Sequence, residues 1–185
     1  LALDRQRTNL EASLESERFQ LLIHLARTAT SATAQQALSH PMSPDKAQAA
    51  IGEVLGSRHG FDVSFVLTPE NLVVTGRVGE EPGDQRRYQA LDPLFAAVLG
   101  EVRDRVGQLA LRRETDDAGA DAPVQLARRA GAARLIFDGN EPRIVAAVAL
   151  PARGVGESAF GRLVMVASAP LTGSVLAEFA LRHSH

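Results

Sequence analysis

Residues 1–39 contain neither proline nor glycine, so all 15 glycines and all 9 prolines of the 185-residue chain fall beyond Ser39. So long a stretch without a breaker, rich in good helix formers, predicts a single helix of up to about ten turns. One stripe runs Leu3, Arg7, Leu10, Leu14, Arg18, Leu21, Leu25, Ala29 and Ala32, in steps of four and three that repeat every 11 residues. That spacing fits a nearly straight or slightly right-handed helix pair. Asp4, Arg5, Arg7, Glu11, Glu15, Glu17 and Arg18 crowd the first half around this stripe, which makes it narrow for burial on a globule but adequate for pairing with a twin. Leu3, Leu10, Leu14 and Leu21 are therefore the expected homodimer contacts; the alternative is a terminal helix folded back on its own core. From Phe19 to Leu38 the helix is more apolar and is expected to lie on the domain. The expected division is a stalk over 1–39 and a sensor domain over 40–185.

A net charge of -2 leaves no broad basic field, which argues against nucleic acid as a partner. Without any cysteine the chain has no disulfide, thiolate metal site or cysteine nucleophile. No apolar run of about 18 residues occurs. A helix that opens at Leu1 without a start methionine is expected of a module cut from a longer receptor, with any membrane segments lying outside it.

Beyond Ser39 the breakers His40-Pro41 and Ser43-Pro44 end the helix, and Ser43 or Asp45 starts a second one through about Arg58. Phe61 to Thr68 alternates at period two, Pro69-Glu70-Asn71 turns, and Leu72 to Val78 returns, which predicts a hairpin. Residues 79–90 are expected to be a polar loop, and Asp92-Pro93 to start a helix that runs to about Leu111. After a solvated loop from Arg112 to Pro123, strands are expected at 133–138, 143–152 and 162–169, then a final helix from Leu171 capped by Thr172 or Ser174.

The hairpin FDVSFVLTPENLVVTGR and the closing stretch RIVAAVALPARGVGESAFGRLVMVASAPL, behind a long entry helix and a short second helix, resemble the Cache type of extracytoplasmic sensor. The resemblance implies an α+β fold: a PAS-like five-stranded antiparallel sheet with a long N-terminal helix and flanking helices. The two closing strands would be central and the first helix would cross one face. It also implies the periplasmic portion of an inner-membrane receptor whose output is a kinase, cyclase or chemoreceptor module. With no Trp, and Tyr88 as its only Tyr, the chain lacks the tyrosine-arginine-tryptophan-aspartate set by which many such receptors hold amino acids. A cytoplasmic GAF-like regulatory domain shares the entry helix and the strand, Pro, Phe-Gly, strand pattern, and remains the alternative.

Arg86-Arg87-Tyr88 lies where a PAS-like pocket is commonly lined, and two guanidiniums beside a phenol suit a carboxylate or phosphate. The competing reading is a solvated loop whose arginines offset Glu80, Glu81 and Asp84. Arg77 and Arg143 either converge on the same cavity or protect strand edges. Ser64, Thr75 and Ser168 either line a pocket or bond locally. The small residues of Val145 to Ala149 leave room for a ligand or let a helix pack closely. His24, His40, His59, His183 and His185 show no metal-ligand spacing beyond the terminal pair, and Gly154, Gly156 and Gly161 are expected turn residues. No nucleophile, base or paired acid forms a catalytic set, so the expectation is a non-enzymatic domain without cofactor or metal. It would bind a small anionic ligand and signal through its terminal helices; a ligand-free dimerisation module is the third possibility.

Overall fold

The computed structural model describes residues 2–38, 44–112, 121–151 and 160–171. Helix α1 (Ala2–Thr30) fills most of the breaker-free stretch but stops short of Ser39. The reason is a cluster of hydroxyls that compete for the helix's own carbonyls. Thr28 donates to His24 O at 3.1 Å, Thr30 to Ala26 O at 2.9 Å and Ser31 to Thr28 O at 2.8 Å. Ser31 turns extended and accepts from the Ala34 N–H, capping the short helix α2 (Ala32–Ala37). The predicted second helix is present as α3 (Pro44–Ala47), a π-helical turn (Gln48–Glu53) and α4 (Val54–His59) in unbroken succession.

Strands β1 (Val63–Leu67) and β2 (Val73–Val78) form the predicted antiparallel pair. Asn71 takes the left-handed conformation in the turn between them, with its N–H on Thr68 O at 3.0 Å. Residues 79–90 depart from the expected loop. They hold the short strand β3 (Glu81–Pro82) and the start of helix α5 (Gln85–Arg112). Asp84 starts that helix by accepting the Arg87 N–H at 2.8 Å, the capping role expected of Asp92.

Pro93 thus lies inside α5, where it removes a hydrogen bond and bends the helix. Gln85 donates to Asn71 O at 3.0 Å, and Arg103 donates to Asn71 Oδ1 at 2.6 Å. In a straight helix those two positions stand about 27 Å apart, more than their side chains span, so α5 is bent between them, in the interval that holds Pro93.

Helix α6 (Ala122–Ala130) has Pro123 in its first turn behind Asp121 and leads directly into the meander β4 (Gly131–Asp138), β5 (Glu141–Pro151) and β6 (Phe160–Pro170). The expected final helix beyond Leu171, its caps Thr172 and Ser174, most of the Arg112–Pro123 loop, and the turn with Gly154 and Gly156 lie outside the described residues.

The fold is α+β as expected, with six antiparallel strands in place of five, in the order β3-β2-β1-β6-β5-β4. Strand β6 is central and β5 lies beside it. Cross-strand partners share a face, so the registers sort the side chains. Val63, Phe65, Val166, Ser168, Arg143, Val145 and Ala147 point to one face, and Ser64, Val66, Met165, Ala167, Ala146 and Val148 to the other. Phe65 meets Tyr88 and Phe95 of α5, so α5 covers the first face; α1, with Leu25, Ala26 and Ala29 fully buried, covers the second. Residues 144–150 are consequently buried without interruption, the pattern of a strand covered on both sides. The alanines of β5 and β6 let α1 approach closely.

Candidate functional site

Tyr88 lies in the core. Its ring is 2 % exposed, edge-on to Phe65 at 5.3 Å and stacked on Phe95 at 6.5 Å. Its hydroxyl donates to Asp92 Oδ1 at 2.6 Å. Burial first, and then that hydrogen bond, push the phenol well above its ordinary 10.0. The aromatic trio fills the space between β1 and α5, so Tyr88 packs where it was expected to line a pocket.

The expected arginines go separate ways. Arg86 is exposed. Arg87, one helical position on, is half-buried and pairs with Glu81. Arg77 bonds the Gly79 carbonyl at 2.6 Å and the Gly52 carbonyl of the π turn at 3.1 Å. Gln48, Ile51 and Gly52 of that turn close on Ser64 and Thr75 with no space for a water. Arg143 and Ser168 do meet: Arg143 Nε donates to Ser168 Oγ at 2.9 Å, while its other nitrogens reach Asp62 and, at 3.4 Å, Glu141. By register Arg143 points to the α5 face and Arg77 to the α1 face, so the two do not share a cavity.

A cleft with a volume of about 250 Å³ opens elsewhere, at the β4 edge of the sheet where α6 bridges α1 and α5. Its walls are Glu15, Arg18, Phe19 and Leu22 of α1, Glu101 and Arg105 of α5, and Ala127 and Arg128 of α6, with the Gly131–Ala133 start of β4 as floor. Arg105 is committed to Glu101 at 2.6 Å and to the Gly131 carbonyl; Arg134 also reaches Glu101, at 3.3 Å. Arg18 pairs with Glu15 through one terminal nitrogen, while its Nε is buried without an acceptor among the described residues. Arg128 sits over the Phe19 ring at 5.8 Å and has no ion pair among the described residues. Segments distant in sequence, α1, α5 and the α6–β4 unit, build this site, and of its lining residues only Arg18 lay on the stripe read from the sequence.

The buried half of α1 also carries His24, stacked on His59 of α4 with centroids 4.2 Å apart and planes at 14°. Burial, then the Arg27 charge, hold His24 below its ordinary 6.5 against a smaller opposing effect of Glu17; burial, then His24, Arg58 and Arg27, do the same for His59. Because the folded rings bind protons less readily than the unfolded chain, stability is full above the ordinary value of 6.5 and falls as pH drops through it. The thermal midpoint is therefore expected to decrease between pH 7.5 and pH 5.5. The double variant His24→Phe/His59→Phe, which keeps two stacked rings, is expected to flatten that decrease; an unaltered slope would assign it to other groups.

Along α1, Leu3 is 80 % and Leu10 45 % exposed, whereas Leu14 is half-buried and Leu21 packs against the core. Among the described residues no group of three or more His, Asp or Glu could hold a metal, and no helix is long and apolar enough to cross a membrane. Comparison with protein-family models finds no match, and comparison with curated proteins finds none.

Proposed function

We propose that this chain is a ligand-sensing domain of the Cache type, belonging to the extracytoplasmic part of a signal-transduction receptor, which binds a small anion and signals through its long helix. The observation that carries the reading is α1 itself. It is one unbroken helix of 29 residues, about 43 Å long, with Leu22, Ile23, Leu25, Ala26 and Ala29 locked in the core and residues 3–12 exposed. A shift of the body at the inner half moves the outer half as a lever. A ligand biases such a lever only by the difference in its affinity for the two positions.

The outer half is the proposed homodimer contact, with exposed Leu3 and Leu10 on a stripe whose Arg7 and Arg18 pair with Glu11 and Glu15 beside it. Sedimentation is expected to give a concentration-dependent dimer for the chain and a monomer for Leu10→Glu. A thermal-shift screen against organic acids, amino acids, nucleotides and phosphates tests the sensing itself, because a ligand at 100 times its dissociation constant stabilises the fold by about 2.7 kcal/mol. A silent screen beside an intact dimer would favour a ligand-free dimerisation module.

A further inference from the structure

We infer that the cleft between α1, α5 and α6 binds a small organic carboxylate with an apolar body, held by Arg18 and Arg128. The inference rests on the sensing reading and gives it a site. Three lining arginines face two glutamates, and one of those glutamates, Glu101, is already shared by Arg105 and Arg134. Positive charge is in surplus where the cleft opens. Arg18 lines the cleft with its side chain 29 % exposed, and its buried Nε lacks an acceptor among the described residues, so a small turn of the side chain that brings Nε to an arriving oxygen relieves an unmade bond. Arg128, stacked over Phe19 rather than paired, presents the planar fork that matches a carboxylate.

The remaining surface selects for the rest of the molecule. Phe19, Leu22, Ala127 and Ala132 offer an apolar wall, which a bare inorganic anion leaves unused. At about 250 Å³ the space lies below the usual range for drug-sized ligands, roughly 300–1,000 Å³, which suits an acid of benzoate size. The placement also suits signalling. Arg18 and Phe19 stand at the junction between the exposed and buried halves of α1, so a carboxylate bridging Arg18 to Arg128 of α6 ties the lever to the body.

The test is calorimetric titration of the chain with benzoate, hexanoate and inorganic phosphate. Benzoate or hexanoate is expected to bind saturably and phosphate more weakly. Arg18→Gln and Arg128→Gln are each expected to weaken the carboxylate about tenfold or more; Arg128 is exposed, so its variant probes the site without risk to the fold. Phosphate binding as tightly as the carboxylates overturns the ligand class, and absence of saturable carboxylate binding overturns the site. Carboxylate binding indifferent to both variants puts the ligand elsewhere and overturns the cleft while leaving the sensing reading intact. The sensing reading fails on its own terms only when the broad thermal-shift screen is silent as well.

Discussion

Phe65→Ala is expected to lower stability by about 3–5 kcal/mol and the thermal midpoint by roughly 10 °C. Phe65 is 1 % exposed on β1, inside the sheet, and two aromatic edges converge on it from α5. Backbone also lies close to the ring at Gly76 and Gly83, where a Cβ added at Gly83 would stand 2.7 Å from Phe65 Cε1, and neither glycine has a side chain that could swing into a void. Truncation leaves a cavity that rigid neighbours cannot collapse into. Tyr88→Phe removes only the hydroxyl bonded to Asp92 and is expected to cost about 0.5–1.5 kcal/mol. It should leave ligand affinity untouched, because Tyr88 serves packing. A loss below about 1 kcal/mol for Phe65→Ala, set against the usual Phe→Ala range, would mean that this face of the sheet has slack, and the ligand-pocket reading of Tyr88 would return.

The strands were legible because their signal is local. Phe61 to Thr68 alternates at the period a sheet imposes, Leu72 to Val78 returns after the Pro69-Glu70-Asn71 turn, and Gly139-Asn140 closes the β4–β5 turn with Gly139 at positive φ. Helix boundaries failed where two signals competed. Asp92-Pro93 is a strong start signal, but Asp84 had already capped the helix about two turns earlier. The break at Ser31 depends on three hydroxyls bonding backward, an effect that helix propensity does not register. Asp121-Ala122-Pro123, with its proline one position further on than in Asp92-Pro93, starts α6, yet the Asp-rich and Ala-rich residues before it read as continuous loop. The cleft was illegible for another reason. Arg18, Glu101 and Arg128 stand in the chain as ordinary charges on helix faces, and only the crossing of α6 between α1 and α5 brings them together. Ser168 and Arg143 were singled out for pocket chemistry; they bond each other directly, and the partner that completes the cluster is Asp62, 81 positions away from Arg143, which spacing does not announce.

That pairing supplies the second large effect. The Arg143 side chain is 8 % exposed, held by Asp62, by the fully buried Ser168 hydroxyl and, at 3.4 Å, by Glu141. Asp62→Ala strands a guanidinium in the sheet with one distant carboxylate. Breaking such a pair from one side costs about 3–5 kcal/mol when both partners are buried; Asp62 is 40 % exposed and Glu141 remains, which puts the expectation near the lower figure. The charge is costly because it is out of water, so removing it as well should restore the fold. The triple variant Asp62→Ala/Arg143→Met/Ser168→Ala, with the hydroxyl deleted along with its donor, is expected to recover most of the loss, seen as a denaturation midpoint near that of the original chain at unchanged slope. Recovery makes the cluster a structural clasp between β1, β5 and β6, independent of any ligand. If instead Arg143→Met leaves the midpoint where it was and erases stabilisation by an anion, Arg143 contacts the ligand, and the binding site belongs on the α5 face of the sheet rather than beside β4.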